Sequence, residues 1–294
     1  MEKQKKAYLF ASLAILFWST SASAFKICLD RLGVSVLALL FGASVVSSVA
    51  LFLNLLLSGK AGLLKSLSKE DITRSAFLGF LNPFLYYVVL FKAYSLLRAQ
   101  EAQPLNFVWP LVLVLLSVPI LRQKIHARDI VAILISFFGV LIISTEGRVL
   151  GFRFTDPLGV ALATGSSIPW ALYWIYNMKD KQDEIVRLFL NFTFASVYVL
   201  LLMLVLGRFQ APSLKGALGI TYVGLFEMGV TSLLWYRAVE GDIAFASNLA
   251  YLVPFLSLFF ISLIVGESIA PATVVGLAMI VLGIILGRGQ KAFK

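Results

Sequence analysis

Glu227 is the residue whose chemistry stands out, because it lies in the middle of a long apolar stretch, Gly216–Tyr236. A charged side chain at the centre of a spanning helix costs roughly 2.5–3.5 kcal/mol on insertion scales, so it needs a partner or a water-filled cavity. Read as a straight helix, the stretch places Gly224, Thr231 and Trp235 on the same face as Glu227. That is a stripe far more polar than lipid tolerates. A carboxylate in such a place can bind an amino or ammonium group, or take up and release a proton. Its bland alternative is structural: protonated or hydrogen-bonded, it can glue two helices together. Lys92 is the other charge within an apolar stretch, Ala76–Leu97, and its long stem lets the ammonium reach the membrane interface without touching a solute.

Polar and aromatic residues recur at helical spacing in further apolar stretches. These are Trp18, Ser21 and Phe25; Asn82 and Tyr86; Gln103 and Asn106; Ser166, Trp170, Tyr173 and Asn177; and Asn248, Tyr251 and Phe255. Such faces suit a cavity that holds an organic molecule by ring packing and a few hydrogen bonds. The expected substrate-binding set is Glu227, Trp18, Tyr86, Gln103, Asn106, Trp170, Tyr173, Asn248 and Tyr251. Any single aromatic could equally pack between helices or belong to an interfacial belt; the convergence of several is what points to a site.

Other chemistries are poorly supplied. There is no Gly-rich phosphate loop ending in Lys-Ser/Thr, which argues against ATP-driven pumping. One histidine, His126, and one cysteine, Cys28, offer neither an intramolecular disulfide nor a Cys/His metal cluster, and no Ser/His/Asp set can form inside the membrane. No cofactor and no enzymatic activity are expected. A net charge of +10 is of the size seen in nucleic-acid binders, but the basic residues sit between apolar runs and form no patch with interleaved aromatics.

The elements that must position these residues follow from composition. With 60% hydrophobic residues, 14% charged residues and a mean hydropathy of +0.93, the chain has too little polar surface to cover a water-soluble globule. Spans need ~20 mostly apolar residues. Ten segments approach this: Tyr8–Cys28, Val34–Leu57, Ala76–Leu97, Ala102–Leu121, Ile130–Thr145, Pro157–Met178, Leu188–Gly207, Gly216–Tyr236, Ile243–Gly266 and Ser268–Gly287. With the N-terminus in the cytoplasm, 17 of the 25 lysines and arginines fall in cytoplasmic segments and 7 outside, with Lys92 within a span. The positive-inside rule therefore predicts both termini in the cytoplasm of a cell (inner) membrane protein. Lys-rich residues 3–6 followed by an apolar stretch and Ala22-Ser23-Ala24 resemble a cleavable signal peptide, but the first apolar stretch runs past that site to Cys28.

The chain also repeats itself. Pro110, Ile125 and Gly139 recur as Pro254, Ile269 and Gly283 at a constant offset of 144 positions, Lys92-Ala93 corresponds to Arg237-Ala238, and Trp18 to Trp170. Two repeats of five spans each, residues 1–150 and 151–294, must enter the membrane from opposite sides, as in the inverted repeats of secondary transporters. Pro83, Pro104, Pro110, Pro119, Pro169 and Pro254 lie in or near spans, where lost backbone bonds allow bends beside polar cavities. The fifth and tenth spans are almost free of polar side chains, and Ala272, Gly276, Gly283 and Gly287 offer small surfaces for a scaffold contact or a dimer face.

Phe17-Trp18-Ser19-Thr20 leading to Ala24-Phe25-Lys26, Leu105-Asn106-Phe107-Val108-Trp109-Pro110, Ile168-Pro169-Trp170-Ala171-Leu172-Tyr173-Trp174, Met228-Gly229-Val230-Thr231 with Leu234-Trp235, and Pro254 with Gly266-Glu267 together resemble the EamA branch of the drug/metabolite transporter superfamily. Within it, the Leu-Asn-Phe-Val-Trp-Pro and Trp-Ala-Leu-Tyr-Trp stretches are similar to YddG-type exporters of aromatic amino acids. The resemblance implies a central cavity lined by spans 1, 3, 4, 6, 8 and 9. Glu227 falls where that pattern has an uncharged residue, which suits an amine-bearing or cationic substrate.

The expectation is an all-α integral membrane protein of ten transmembrane helices, arranged as two inverted five-helix repeats. It exports small organic metabolites, amino acids or related amines, by alternating access, with proton exchange through Glu227. Its partners are a small-molecule substrate, the lipid bilayer and protons, and it is a monomer or homodimer. The rival readings are efflux of organic cations or drugs, and a non-transporting membrane sensor or scaffold.

Overall fold

The computed structural model describes residues 2–121, 127–148, 156–177, 180–241 and 252–287, and all the regular structure among them is helical. Six helices are long and apolar enough to cross a bilayer: Lys6–Arg31, Val36–Leu57, Lys69–Tyr94, Pro157–Asn177, Glu184–Leu206 and Leu214–Ala238. Shorter apolar helices cover Leu134–Ile143, Leu252–Val265 and Pro271–Gly283. Leu57, Val205 and Leu263 are among many large apolar side chains left on the outer surface. In a chain of this composition, lipid is the solvent that such a surface requires.

Several helices are broken where the sequence allows it. The third span bends at Asn82 (φ −149°, ψ 123°), next to Pro83, inside a wide π turn from Phe80 to Leu85. The fourth apolar segment is two helices, Ala99–Asn106 and Trp109–Leu121, and the sixth breaks at Ser166 between Pro157–Gly165 and Ser167–Asn177. A fourth site of irregularity is the π turn Gly224–Gly229 in the middle of the eighth span. Irregular backbone at membrane depth is tolerated where protein or a cavity satisfies the freed groups. Here Ser47 Oγ donates to the Gly224 carbonyl (2.7 Å) and Thr231 Oγ1 to that of Phe226 (2.5 Å).

At the end of the bundle that carries Arg98, the two halves of the chain are tied together. Gly266 closes its helix in the left-handed conformation (φ 79°), a place where glycine has no steric penalty. The next residue, Glu267, accepts hydrogen bonds from the backbone N–H groups of Ala99 (3.0 Å) and Gln100 (3.1 Å), satisfying orphan donors at the start of the fourth segment. Lys26, near the end of the first apolar stretch and counted above with the basic residues outside the membrane, does not lie in a loop. The first helix runs on as a π turn, Ile27–Arg31, so the Lys26 ammonium is buried, donating to the carbonyls of Tyr94 (3.0 Å) and Leu97 (2.9 Å) and pairing with Asp30 (2.6 Å). Lys92, by contrast, is exposed.

The small residues of the fifth and tenth spans face each other within the chain. A Cβ placed on Gly276 would lie 2.6 Å from the carbonyl oxygen of Gly139, and one on Gly139 2.5 Å from that of Gly276. Backbone carbonyls cannot yield as side chains do, so this crossing depends on both glycines. Gly276→Leu is expected to force the two helices apart and lower stability by at least ~1–3 kcal/mol. Melting in detergent checks this against Val274→Leu on the exposed side of the same helix, which should stay near wild type.

Candidate functional site

The eighth span's π turn sets the site. Gly224 and Gly229 flank Glu227, and added Cβ atoms would meet the Ala43 carbonyl at 2.7 Å and Ser47 Cα at 3.1 Å, so the turn lies hard against the second span. The wide turn leaves Glu227 projecting inward, only 8% exposed. Its carboxylate accepts hydrogen bonds from Ser21 Oγ and from the Tyr87 hydroxyl (3.0 Å). The indole N–H of Trp18 donates to the backbone carbonyl of Glu227 (3.2 Å), pinning the turn to the first span. No lysine or arginine among the described residues pairs with this carboxylate. Neutral hydroxyl donors alone hold it.

Glu227 faces a cavity of about 80 Å³, room for a few waters, whose walls include Trp18, Ser21, Tyr86, Gln103, Asn106, Trp109, Trp170, Trp174 and Trp235. All five tryptophans of the chain are in that wall. Indoles usually gather at membrane interfaces, and their convergence here gives a ring-lined interior instead. The polar wall is ordered by its own bonds: Tyr86 OH donates to Asn106 Oδ1 (3.1 Å), Asn106 Nδ2 to Ser166 Oγ (2.8 Å) and Tyr94 OH to Gln103 Oε1 (2.6 Å). The third, fourth and sixth segments are thereby locked in register.

A second, smaller cavity of about 20 Å³ is lined by Asn82, Pro83, Tyr173, Asn191, Ser232 and Tyr236 together with Trp18, Trp170, Trp174 and Trp235. Those four indoles belong to both walls. They separate the cavity of Glu227 from the second one, which lies toward the end of the bundle bearing Lys60 and Asp183.

Of the residues expected to bind substrate, Glu227, Trp18, Tyr86, Gln103, Asn106 and Trp170 line the larger cavity and Tyr173 the smaller one. Asn248 and Tyr251 lie outside the described residues. The stripe drawn through Gly224, Glu227, Thr231 and Trp235 needs correction. Gly224 packs on the second span and the Thr231 hydroxyl is spent on the Phe226 carbonyl, so only Glu227 and Trp235 of the four reach the cavity. The π turn, which shifts the phase of the helix within those residues, is the reason. Sequence reasoning also missed Tyr87, Trp109 and Trp174. The tryptophans carried a signal in their clustering within two short motifs; Tyr87 carried none.

The model of the EamA-like transporter family matches this sequence twice, over residues 5–145 and 157–287. The chain belongs to the EamA-like transporter family. Its relatives carry transporter names as well. An "Uncharacterized transporter" of Clostridium kluyveri is 27% identical over 98% of this chain and 94% of its own length. One from Archaeoglobus fulgidus is 23% identical over 95% and 97%, and the "Uncharacterized transporter YvbV" of Bacillus subtilis 25% identical over 72% of each. A solved crystal structure with 20% identity superposes with a TM-score of 0.66 over 97% of both chains, which establishes a shared fold. As an EamA-like transporter the protein is a multi-pass membrane protein that works on a small-molecule substrate in a lipid bilayer.

Proposed function

We propose that this EamA-like transporter exports amine-bearing metabolites, amino acids or related amines, by alternating access, and that Glu227 binds the ammonium group in exchange for a proton. The observation that carries this reading is the Glu227 carboxylate itself: buried, held by two hydroxyls, without a cation among the described residues, and facing a cavity walled by tryptophan. A carboxylate so placed is matched by a cationic group, and indole faces add cation–π attraction and an apolar seat for the rest of the molecule. Helix glue would not require the open side toward a cavity. Trp18, Tyr86, Gln103, Asn106, Trp170, Tyr173, Asn248 and Tyr251 complete the proposed binding set, nearest in pattern to YddG-type exporters.

The proposed architecture behind this mechanism is ten spans in two inverted repeats. It is supported by the double match to one family model, by the constant offset of the repeated residues and by the separation of two cavities along the bundle axis. Flux into proteoliposomes of labelled amino acids and their decarboxylated amines tests the function; a sensor or scaffold would move none. Orientation has its own check. With both termini in the cytoplasm, single cysteines at Lys65 and Lys181 in a Cys28→Ser background should escape an impermeant thiol reagent in intact cells, and labelling of both from outside would invert the assignment.

A further inference from the structure

We infer that the smaller cavity is a carboxylate subsite, which distinguishes amino acids from simple amines. This rests on the reading of Glu227 as the amine site and adds the opposite end of the substrate. Asn82 is 7% exposed, lines this cavity at the break in the third span, and its amide oxygen Oδ1 is buried with no hydrogen-bond partner among the described residues. The indole N–H of Trp174 and the hydroxyl of Tyr236 line the same cavity and are buried; the indole has no partner among the described residues, and the hydroxyl lies beside Tyr173 and Arg187 without a well-formed hydrogen bond to either. An unpaired polar group in a dry interior is expensive, about 1–3 kcal/mol each. Three around one small space mark a place built for a polar visitor.

The chemistry of the three groups names that visitor. An indole N–H can only donate, a phenol donates readily, and half a turn of the Asn82 amide exchanges its unpaired acceptor for an NH₂ donor. A group that accepts several hydrogen bonds from a few directions satisfies them, and a carboxylate does so with two oxygens. A further donor lies beside the same cavity. Arg187, 6% exposed, holds its guanidinium 5.1 Å from the centre of the Tyr236 ring. It lies one helical turn before Asn191, which lines the cavity. Asp180 also faces this floor, its backbone carbonyl accepting from Arg187 Nη1 (3.2 Å) and its carboxylate 3.8 Å from Arg74, which also pairs with Glu70 (2.9 Å); the two guanidinium charges are thus matched by two carboxylates, and what Arg187 offers is its Nε, buried without a hydrogen-bond partner among the described residues.

The two subsites lie on opposite sides of the four shared indoles. An α-amino acid carries both charges on one carbon, so in this state it occupies them in turn: carboxylate first in the smaller cavity, then ammonium at Glu227 once the indoles part. A simple amine skips the first step.

The test compares L-phenylalanine with phenethylamine, and L-lysine with cadaverine, in proteoliposomes loaded so that substrate starts on the Lys60 side. Tyr236→Phe removes one hydroxyl and keeps the ring under Arg187; Asn82→Leu removes the amide. Each variant is expected to raise the KM for the amino acid about tenfold or more, since a hydrogen bond to a charged group is lost, while the KM of the matching amine stays at the wild-type value. Should Asn82→Leu fail to fold, Tyr236→Phe alone decides. Equal effects on acid and amine, or no effect on either, overturn the subsite. Wild-type protein that moves amines and no amino acid overturns it too, yet leaves the Glu227 reading standing. Absence of flux for all four compounds brings down that reading and this one together.

Discussion

Glu227→Gln is expected to lower affinity for amine substrates by roughly 30-fold or more, because truncating one partner of a buried, hydrogen-bonded charge pair costs ~2–5 kcal/mol. Gln retains the shape: its oxygen can accept from one of Ser21 and Tyr87 and its NH₂ can donate to the hydroxyl oxygen of the other, so the links that hold the first and third spans in place are kept. Stability should therefore change little, which separates recognition from helix glue. The pH dependence gives the sharper distinction. Only the ionised carboxylate attracts an ammonium group, so wild-type affinity should rise with pH as Glu227 loses its proton and level off when it is fully ionised. The Gln variant has no such proton and its affinity should be flat over the same range, provided the substrate amine stays charged. Proton exchange makes a further demand: in the wild type an imposed pH gradient should drive accumulation, and in Glu227→Gln it should not. Wild-type KM and an unchanged pH profile in the variant would reduce Glu227 to a structural hydrogen-bonding group.

Much of this arrangement was legible in the amino-acid order, and the failures have physical causes. A carboxylate in an apolar stretch announces itself by its cost alone, so Glu227 needed no structure to be found. Tyr86, Gln103, Asn106 and Trp170 were found by helical spacing within short segments, where 3.6 residues per turn holds. Spacing fails across a π turn, because the extra residue rotates everything beyond it. That is why a straight helix puts Gly224 and Thr231 on the cavity face. Tyr87 is a different case: Tyr86 and Tyr87 open the regular helix Tyr86–Tyr94 and point about 100° apart, yet both are buried, one bonded to Asn106 and the other to Glu227, because protein packs against this helix on both sides. The breaks at Asn82, Phe107–Val108 and Ser166 were signalled only by nearby prolines, which mark where a helix can bend but not how. Glycines of the fifth and tenth spans suggested close contact without saying with what; the answer, each other across the chain, depends on tertiary pairing that no local pattern encodes.

Trp18→Ala should be the most damaging single change at the cavity. Trp18 does three things at once. Its indole lies in the wall of both cavities, its ring sits 5.0 Å from that of Trp235, and its N–H holds the Glu227 carbonyl at 3.2 Å. The alanine variant loses the partition, the ring contact and the pin on the π turn together. Truncating a packed aromatic costs ~3–5 kcal/mol, so a marked fall in melting temperature is expected, and affinity for an aromatic or amine substrate should drop more than tenfold among molecules that remain folded. Trp18→Phe separates these contributions. It keeps most of the ring surface and the partition but cannot donate to Glu227, so its stability should stay close to wild type. Its affinity should fall between the two, because a loosened turn holds the carboxylate less firmly. Binding measured on monodisperse, detergent-purified protein at one temperature gives the order wild type, then Trp18→Phe, then Trp18→Ala. Wild-type affinity in a folded Trp18→Ala variant would place the substrate elsewhere and leave Trp18 as packing. An intermediate Trp18→Phe would tie the geometry of the eighth-span turn to recognition through a single hydrogen bond.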